Sequence, residues 1–147
     1  MNTNELIKAT GALKIEVRGA DGVLKAEQEV KNLVVTTGLG FIASRMKDTT
    51  QAAMSHMAVG SGSTAAAAGN TGLGTELGRV ALTSTTVTNN QTVYVATFPA
   101  GTGTGAVAEA GIFNASSAGT MLCRTVFAVV NKEAGDSMSI TWTVTIS

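Results

Sequence analysis

A chain of 147 residues with ten basic side chains cancelling ten acidic ones fits one domain with a sizeable core, and it is too neutral to capture nucleic acid or an anionic membrane electrostatically. Its single cysteine, Cys123, excludes an internal disulfide and a multi-cysteine metal site, so packing alone must hold the fold. No apolar run approaches the roughly 20 residues of a membrane span, and the polar start Met1 to Lys8 lacks the segments of a signal peptide, so assembly in the cytoplasm is expected.

Leu13, Ile15 and Val17 alternate with Lys14, Glu16 and Arg18, which predicts a strand because side chains on a strand alternate faces. Gly19 to Gly22 then supplies a turn, with Asp21-Gly22 suited to positive φ, and a returning strand sets Leu24, Ala26, Gln28 and Val30 opposite Lys25, Glu27, Glu29 and Lys31. Residues 1–35 thus read as a charged amino-terminal hairpin or arm, part of the same domain or swapped to a neighbour. Thr36 or Thr37 is placed to cap a short helix running to Lys47, with Leu39, Phe41, Ile42 and Met46 as its buried stripe.

A strand is expected from Met54 to Val59, followed by a long Gly/Ala/Ser/Thr stretch, Gly60 to Gly78. Further strands follow at about Leu77 to Thr88, Thr92 to Phe98, Gly105 to Phe113, Met121 to Val130 and Ser137 to Ile146, with turn residues between them. Many short strands with one helix predict an all-β single domain, a sandwich or barrel, over residues 36–147. The last strand is written in two residue classes. Met138, Ile140, Trp142, Val144 and Ile146 make an apolar face, whereas Ser137, Ser139, Thr141, Thr143 and Thr145 make an uncharged hydroxyl face.

That neutrality extends beyond one strand. Ten of the twenty charged residues lie in the first 31 positions, and only seven lie between Thr49 and the end. A surface of hydroxyls and methyls is cheaper to desolvate than one of ions, so it suits protein contact; its other reading is a Thr-rich sheet facing water.

Motifs for catalysis are sparse. Gly60-Ser-Gly-Ser-Thr-Ala invites comparison with phosphate-binding loops but lacks the Gly-Lys-Ser/Thr ending and the following helix, so a flexible surface loop is the favoured reading. His56 is the only histidine, and the residues around it do not make up a metal-ligand set. Cys123 sits among apolar neighbours and reads as a packed thiol. Glu109, an isolated acid in an apolar segment, is expected to pair with Arg79 or Arg124 or to cap a turn. No catalytic residue, cofactor site or metal site is assigned.

Met54 to Gly69, Leu73 to Val80, Glu109 to Ala115 and the segment from Met121 through the closing Ser/Thr strand together resemble small virion proteins of tailed bacteriophages. The resemblance covers roughly residues 32–147, and within that group the chain looks most like a capsid cement, or decoration, protein with a jelly-roll sandwich. Such a resemblance implies a non-catalytic protein on the virion, made in the host cytoplasm. It would bind the outer surface of the major capsid protein lattice, often as a homo-oligomer such as a dimer or trimer, with no nucleic-acid or membrane partner. A tail-fibre or tail-tip adaptor is the second reading, and a carbohydrate-binding sandwich the third. The candidate contact residues are Leu13, Ile15 and Val17, with Ser139, Thr141, Thr143 and Thr145. If the hairpin residues serve an outward contact, a chain lacking residues 1–31 should still fold.

Overall fold

The computed structural model describes residues 6–47 and 51–147, so Met1–Glu5 of the expected arm lie outside the described residues. The elements run β1 (Ala9–Arg18), β2 (Leu24–Val34), α1 (Thr36–Ser44), β3 (His56–Gly60), β4 (Glu76–Ala81), β5 (Ser84–Thr88), β6 (Gln91–Phe98), β7 (Gly105–Phe113), β8 (Met121–Lys132) and β9 (Ser137–Ile146). Among the described residues strands account for 55% and helix for 6%, so the all-β, sandwich-like class expected from the strand spacing is the one observed.

The strands form one curled antiparallel sheet in the order β4-β3-β7-β8-β2-β1-β9-β6-β5. Its two end strands, β4 and β5, are separated in sequence only by Leu82 and Thr83. The Leu82 N–H donates to the Ser55 carbonyl at 2.9 Å and the Thr83 N–H to the Val95 carbonyl at 2.7 Å, so the chain leaves one edge and joins the other there. The single strand expected over Leu77 to Thr88 is therefore two, bent where the pairing partner changes. At the opposite corner β2 does the same: it pairs with β1 as far as Asn32, then Leu33 and Val34 pair with Arg124 and Cys123 of β8. Strands that switch layers in this way make the corners of a two-layer sheet.

The inner faces meet in one apolar core. β9 contributes Met138, Ile140, Trp142 and Val144, as its alternation predicted, though Ile146 at its end is only half-buried, and the facing layer contributes Met57, Val59, Val107, Ala110, Ile112 and Leu122. Leu13, Ile15 and Val17 belong to the same core, at 2%, 1% and 0% exposure. β1 lies between β2 and β9, and its apolar residues sit opposite those of β9: Leu13 faces Trp142, Ile15 faces Ile140 and Val17 faces Met138. The outward contact role expected of these three is thereby corrected. Their side chains are consumed by the chain's own core and present no surface to another subunit.

Helix α1 also departs from expectation. Val35, not Thr36 or Thr37, occupies the N-cap position, and no side chain caps it. One orphan donor finds a partner elsewhere, the Thr36 N–H reaching the Ala68 carbonyl at 2.8 Å, and the Thr37 hydroxyl anchors the helix start by donating to the Met121 carbonyl at 3.0 Å. A Cβ at Gly38 would overlap the Leu122 carbonyl oxygen, so glycine lets the helix lie directly on β8. The helix ends at Ser44, and Leu39 and Met46 stay 50% and 87% exposed, leaving Phe41 and Ile42 as the packing stripe.

Candidate functional site

Residues 61–75, between β3 and β4, contain no strand or helix, yet they are fixed by one buried carboxylate. Glu109 on β7 is wholly buried. Its Oε2 accepts the N–H groups of Gly62 at 2.7 Å and Thr75 at 2.8 Å, and its Oε1 accepts that of Gly74 at 2.7 Å. Arg124 on the adjacent β8 completes the set, with Nε at 3.2 Å and Nη2 at 3.0 Å from Oε1. The same guanidinium bonds the Asn70 side chain and the Thr64 carbonyl, both at 3.0 Å, so one ion pair ties together both arms of the loop. Leu73 then packs on a small apolar cluster of Val35, Ala58, Phe113 and Met121.

The glycine-rich loop is thus an anion cradle whose anion is the chain's own Glu109. Backbone amides converge on a carboxylate as they would on a phosphate, and close approach explains the glycines. A Cβ at Gly60 would come 2.6 Å from Glu109 Oε2, and one at Gly62 would overlap that atom. The flexible loop expected from composition is a pinned one. Burial opposes ionisation of Glu109, but the Thr75, Gly74 and Gly62 amides and the Arg124 guanidinium outweigh it and hold the carboxyl below the usual glutamate range. Gly62→Ala should cost about 1–3 kcal/mol, because the added Cβ collides with a carboxylate that the Thr75 and Gly74 amides and Arg124 hold in place. Urea unfolding measures this, and an unchanged midpoint would mean the carboxylate can move aside.

Arg79 has a separate role. It pairs with Glu76 at 2.7 Å, lies 3.8 Å over the Phe113 ring and donates to the Ala115 and Ala118 carbonyls, so it braces the turn between β7 and β8. Of the two partners expected for Glu109, the structure selects Arg124. Cys123 is fully buried, and desolvation pushes its thiol well above the ordinary range, away from nucleophilic chemistry. The His56 Nδ1 lies 2.7 Å from the Ser55 hydroxyl. Among the described residues no cluster of three or more His, Cys, Asp or Glu side chains could hold a metal ion, and no helix is long and apolar enough to cross a membrane.

Ser139, Thr141, Thr143 and Thr145 stand on the outer face of the layer formed by β2, β1, β9, β6 and β5. Register places Thr143 between Ala12 and Val93, Thr141 between Lys14 and Val95, and Ser139 between Glu16 and Thr97. Thr86 and Ser84 of β5 continue the rows beside Val93 and Val95. The face is divided lengthwise. Its β1 and β2 side carries Lys14, Glu16, Arg18 and Glu27, joined by ion pairs of 3.1 to 3.7 Å. Its β9, β6 and β5 side has no charged residue at all. There the Thr97 and Ser139 hydroxyls bond each other at 3.1 Å, the Gln91 amide donates to the Thr145 hydroxyl at 3.3 Å, and Thr141 is exposed.

Set beside known proteins, the chain matches no family model, no curated sequence and no solved structure. Its function therefore has to be argued from this geometry. Two features stand out, a neutral half-face and a loop pinned by an internal ion pair. The first was legible in the alternation of the last strand. Of the second, the pairing of Glu109 with Arg124 was among the expectations, but the loop it pins was not, because Gly62 and Glu109 are 47 residues apart in sequence.

Proposed function

We propose that the protein is a non-catalytic structural component of a tailed-phage virion that binds the outer surface of the major capsid protein lattice and stabilises the shell. The observation that supports this reading is the uncharged outer half-face of β9, β6 and β5, with Ser139, Thr141, Thr143 and Thr145 along its β9 margin. A flat, β-branched surface of hydroxyls and methyls loses little on desolvation and packs closely against another protein. Binding only the assembled shell then shifts shell stability by mass action. The sequence resemblance to phage cement proteins points the same way. A carbohydrate-binding module finds less support, since all six aromatic residues are buried and none stands on the outer face as a stacking platform.

Undecorated shells mixed with the purified protein should gain heat stability. Thr141→Lys with Thr143→Lys should weaken shell binding about tenfold or more, because two like charges would be buried unpaired, while changing the protein's own stability by only about 0.5 kcal/mol. Changes on the charged half, such as Glu29→Ala, should leave binding near wild type. Unaltered binding by the double variant would remove the neutral face from the interface. A few copies of the chain per particle, in place of hundreds, would move the protein from shell to tail.

A further inference from the structure

At one end of the curled sheet the described residues leave the core open. Between α1 on one side and β5 on the other lies an open cavity of about 350 Å³, whose walls include Phe41, Met54, Val87, Tyr94, Leu122 and Ile146. β5 is an end strand, paired only with β6, and every residue in it is exposed. Val87 on the cavity wall is 70% exposed. Edge strands are usually guarded by charge, proline or a covering segment, and Ser-Thr-Thr-Val-Thr has neither charge nor proline.

The same end carries the chain's most conspicuous unburied aliphatic pair. Leu6 and Ile7 are 71% and 83% exposed. Their attachment point is fixed: Lys8 and Ser147 exchange backbone hydrogen bonds at 2.6 and 2.8 Å, and Ala9 sits opposite Ile146, itself a wall residue of the cavity. So Leu6 and Ile7 leave the sheet beside the cavity rim without entering it. An aliphatic arm and an unfilled apolar socket therefore share one rim.

We infer that the socket receives Leu6 and Ile7 of a second copy, the two copies exchanging arms about a two-fold axis beside that rim. A two-fold axis needs a surface that is complementary to itself, and an arm rooted at the edge of its own socket meets this condition. Two extended residues reach about 7 Å, enough to cross between adjoining rims. The arm also lies in reach of the free edge of β5, where main-chain hydrogen bonds add to side-chain burial. Nothing in this association involves the capsid, so it can be tested on the purified chain and can fail independently of shell binding.

The test mixes full-length Ile7→Cys chains with Val87→Cys chains under mild oxidation; native Cys123 is fully buried and does not compete. Exchange predicts a disulfide joining position 7 of one chain to position 87 of the other. Sedimentation should show a wild-type dimer, and Leu6→Asp with Ile7→Asp should weaken self-association roughly tenfold or more, with a melting temperature equal to that of the wild type at concentrations where both are monomeric. A wild-type chain that stays monomeric overturns the inference. So does an intramolecular 7–87 link in the doubly substituted chain, which would mean that each arm fills its own socket.

Discussion

Removal of residues 1–31 is expected to leave a chain that does not fold. The segment contains all of β1 and most of β2, two adjacent strands in the interior of the sheet order. Leu13, Ile15 and Val17 are buried, and full burial of such side chains is worth about 1.5–3 kcal/mol each. Three of them together rival the roughly 5–15 kcal/mol by which a whole domain is stable. Their loss would also uncover Trp142, Ile140 and Met138, the β9 residues they face, and would strip β9 of a partner along its whole length. The truncated chain should lack a cooperative melting transition and its near-ultraviolet signal, and should collect in the insoluble fraction. A soluble truncated domain melting within a few degrees of wild type would contradict the strand order.

That outcome differs from the one suggested by sequence alone, and the difference has a physical origin. Alternation in residues 13–17 and 138–146 reveals that each strand has an apolar face, but it carries no information about which strands are neighbours. Pairing between β1 and β9 joins the two ends of the chain, and only in that pairing do the two apolar faces become one. The hairpin and its Asp21-Gly22 turn were readable because the contacts are local: Gly22 takes φ +81°, and the Asp21 carboxylate accepts the Val23 N–H at 3.0 Å. The bend at Leu82–Thr83 was hidden for the opposite reason. Neither residue is a turn former, and the change of direction is imposed by partners at Ser55 and Val95.

The hydroxyl face of β9 was legible in the same limited sense. Its chemistry could be read from Ser139, Thr141, Thr143 and Thr145, whereas its extent could not. Val93, Val95 and Thr86 join it through register, so the neutral surface spans three strands and ends at β1, where Lys14 and Glu16 begin the ion-paired half. Charge that looked concentrated at one end of the chain is, in space, concentrated on one side of a single face. A partner docking there has a sharp electrostatic boundary by which to set its orientation, since misplacement would bury unpaired charges.

Glu109→Ala should destabilise the protein by about 3–5 kcal/mol, the usual cost of leaving one member of a buried ion pair without its partner. Arg124, 2% exposed in the wild type, would keep its positive charge without the carboxylate that balances it, and the amides of Gly62, Gly74 and Thr75 would lose their acceptor. Released from both, the loop should open. Elastase, which cleaves after small residues, should then cut within Ala65–Ala68 far faster than in the wild type. A second variant separates the two effects. Glu109→Leu combined with Arg124→Met removes the stranded charge but not the orphaned amides, so it should recover part of the stability while the loop stays cleavable. The wild-type pair also has a pH signature. Because Glu109 is held below its unfolded range, near 4.3, its contribution is complete above that value and is lost as pH falls through the lower folded value. Asp136, held down chiefly by its hydrogen bonds to Lys25, adds a loss in the same direction, so the diagnostic quantity is the difference between proteins. Glu109→Gln, which cannot ionise, should lose less stability between pH 5 and pH 3 than the wild type does. Equal losses in the two proteins would mean that the carboxylate of Glu109 is not what fixes the loop.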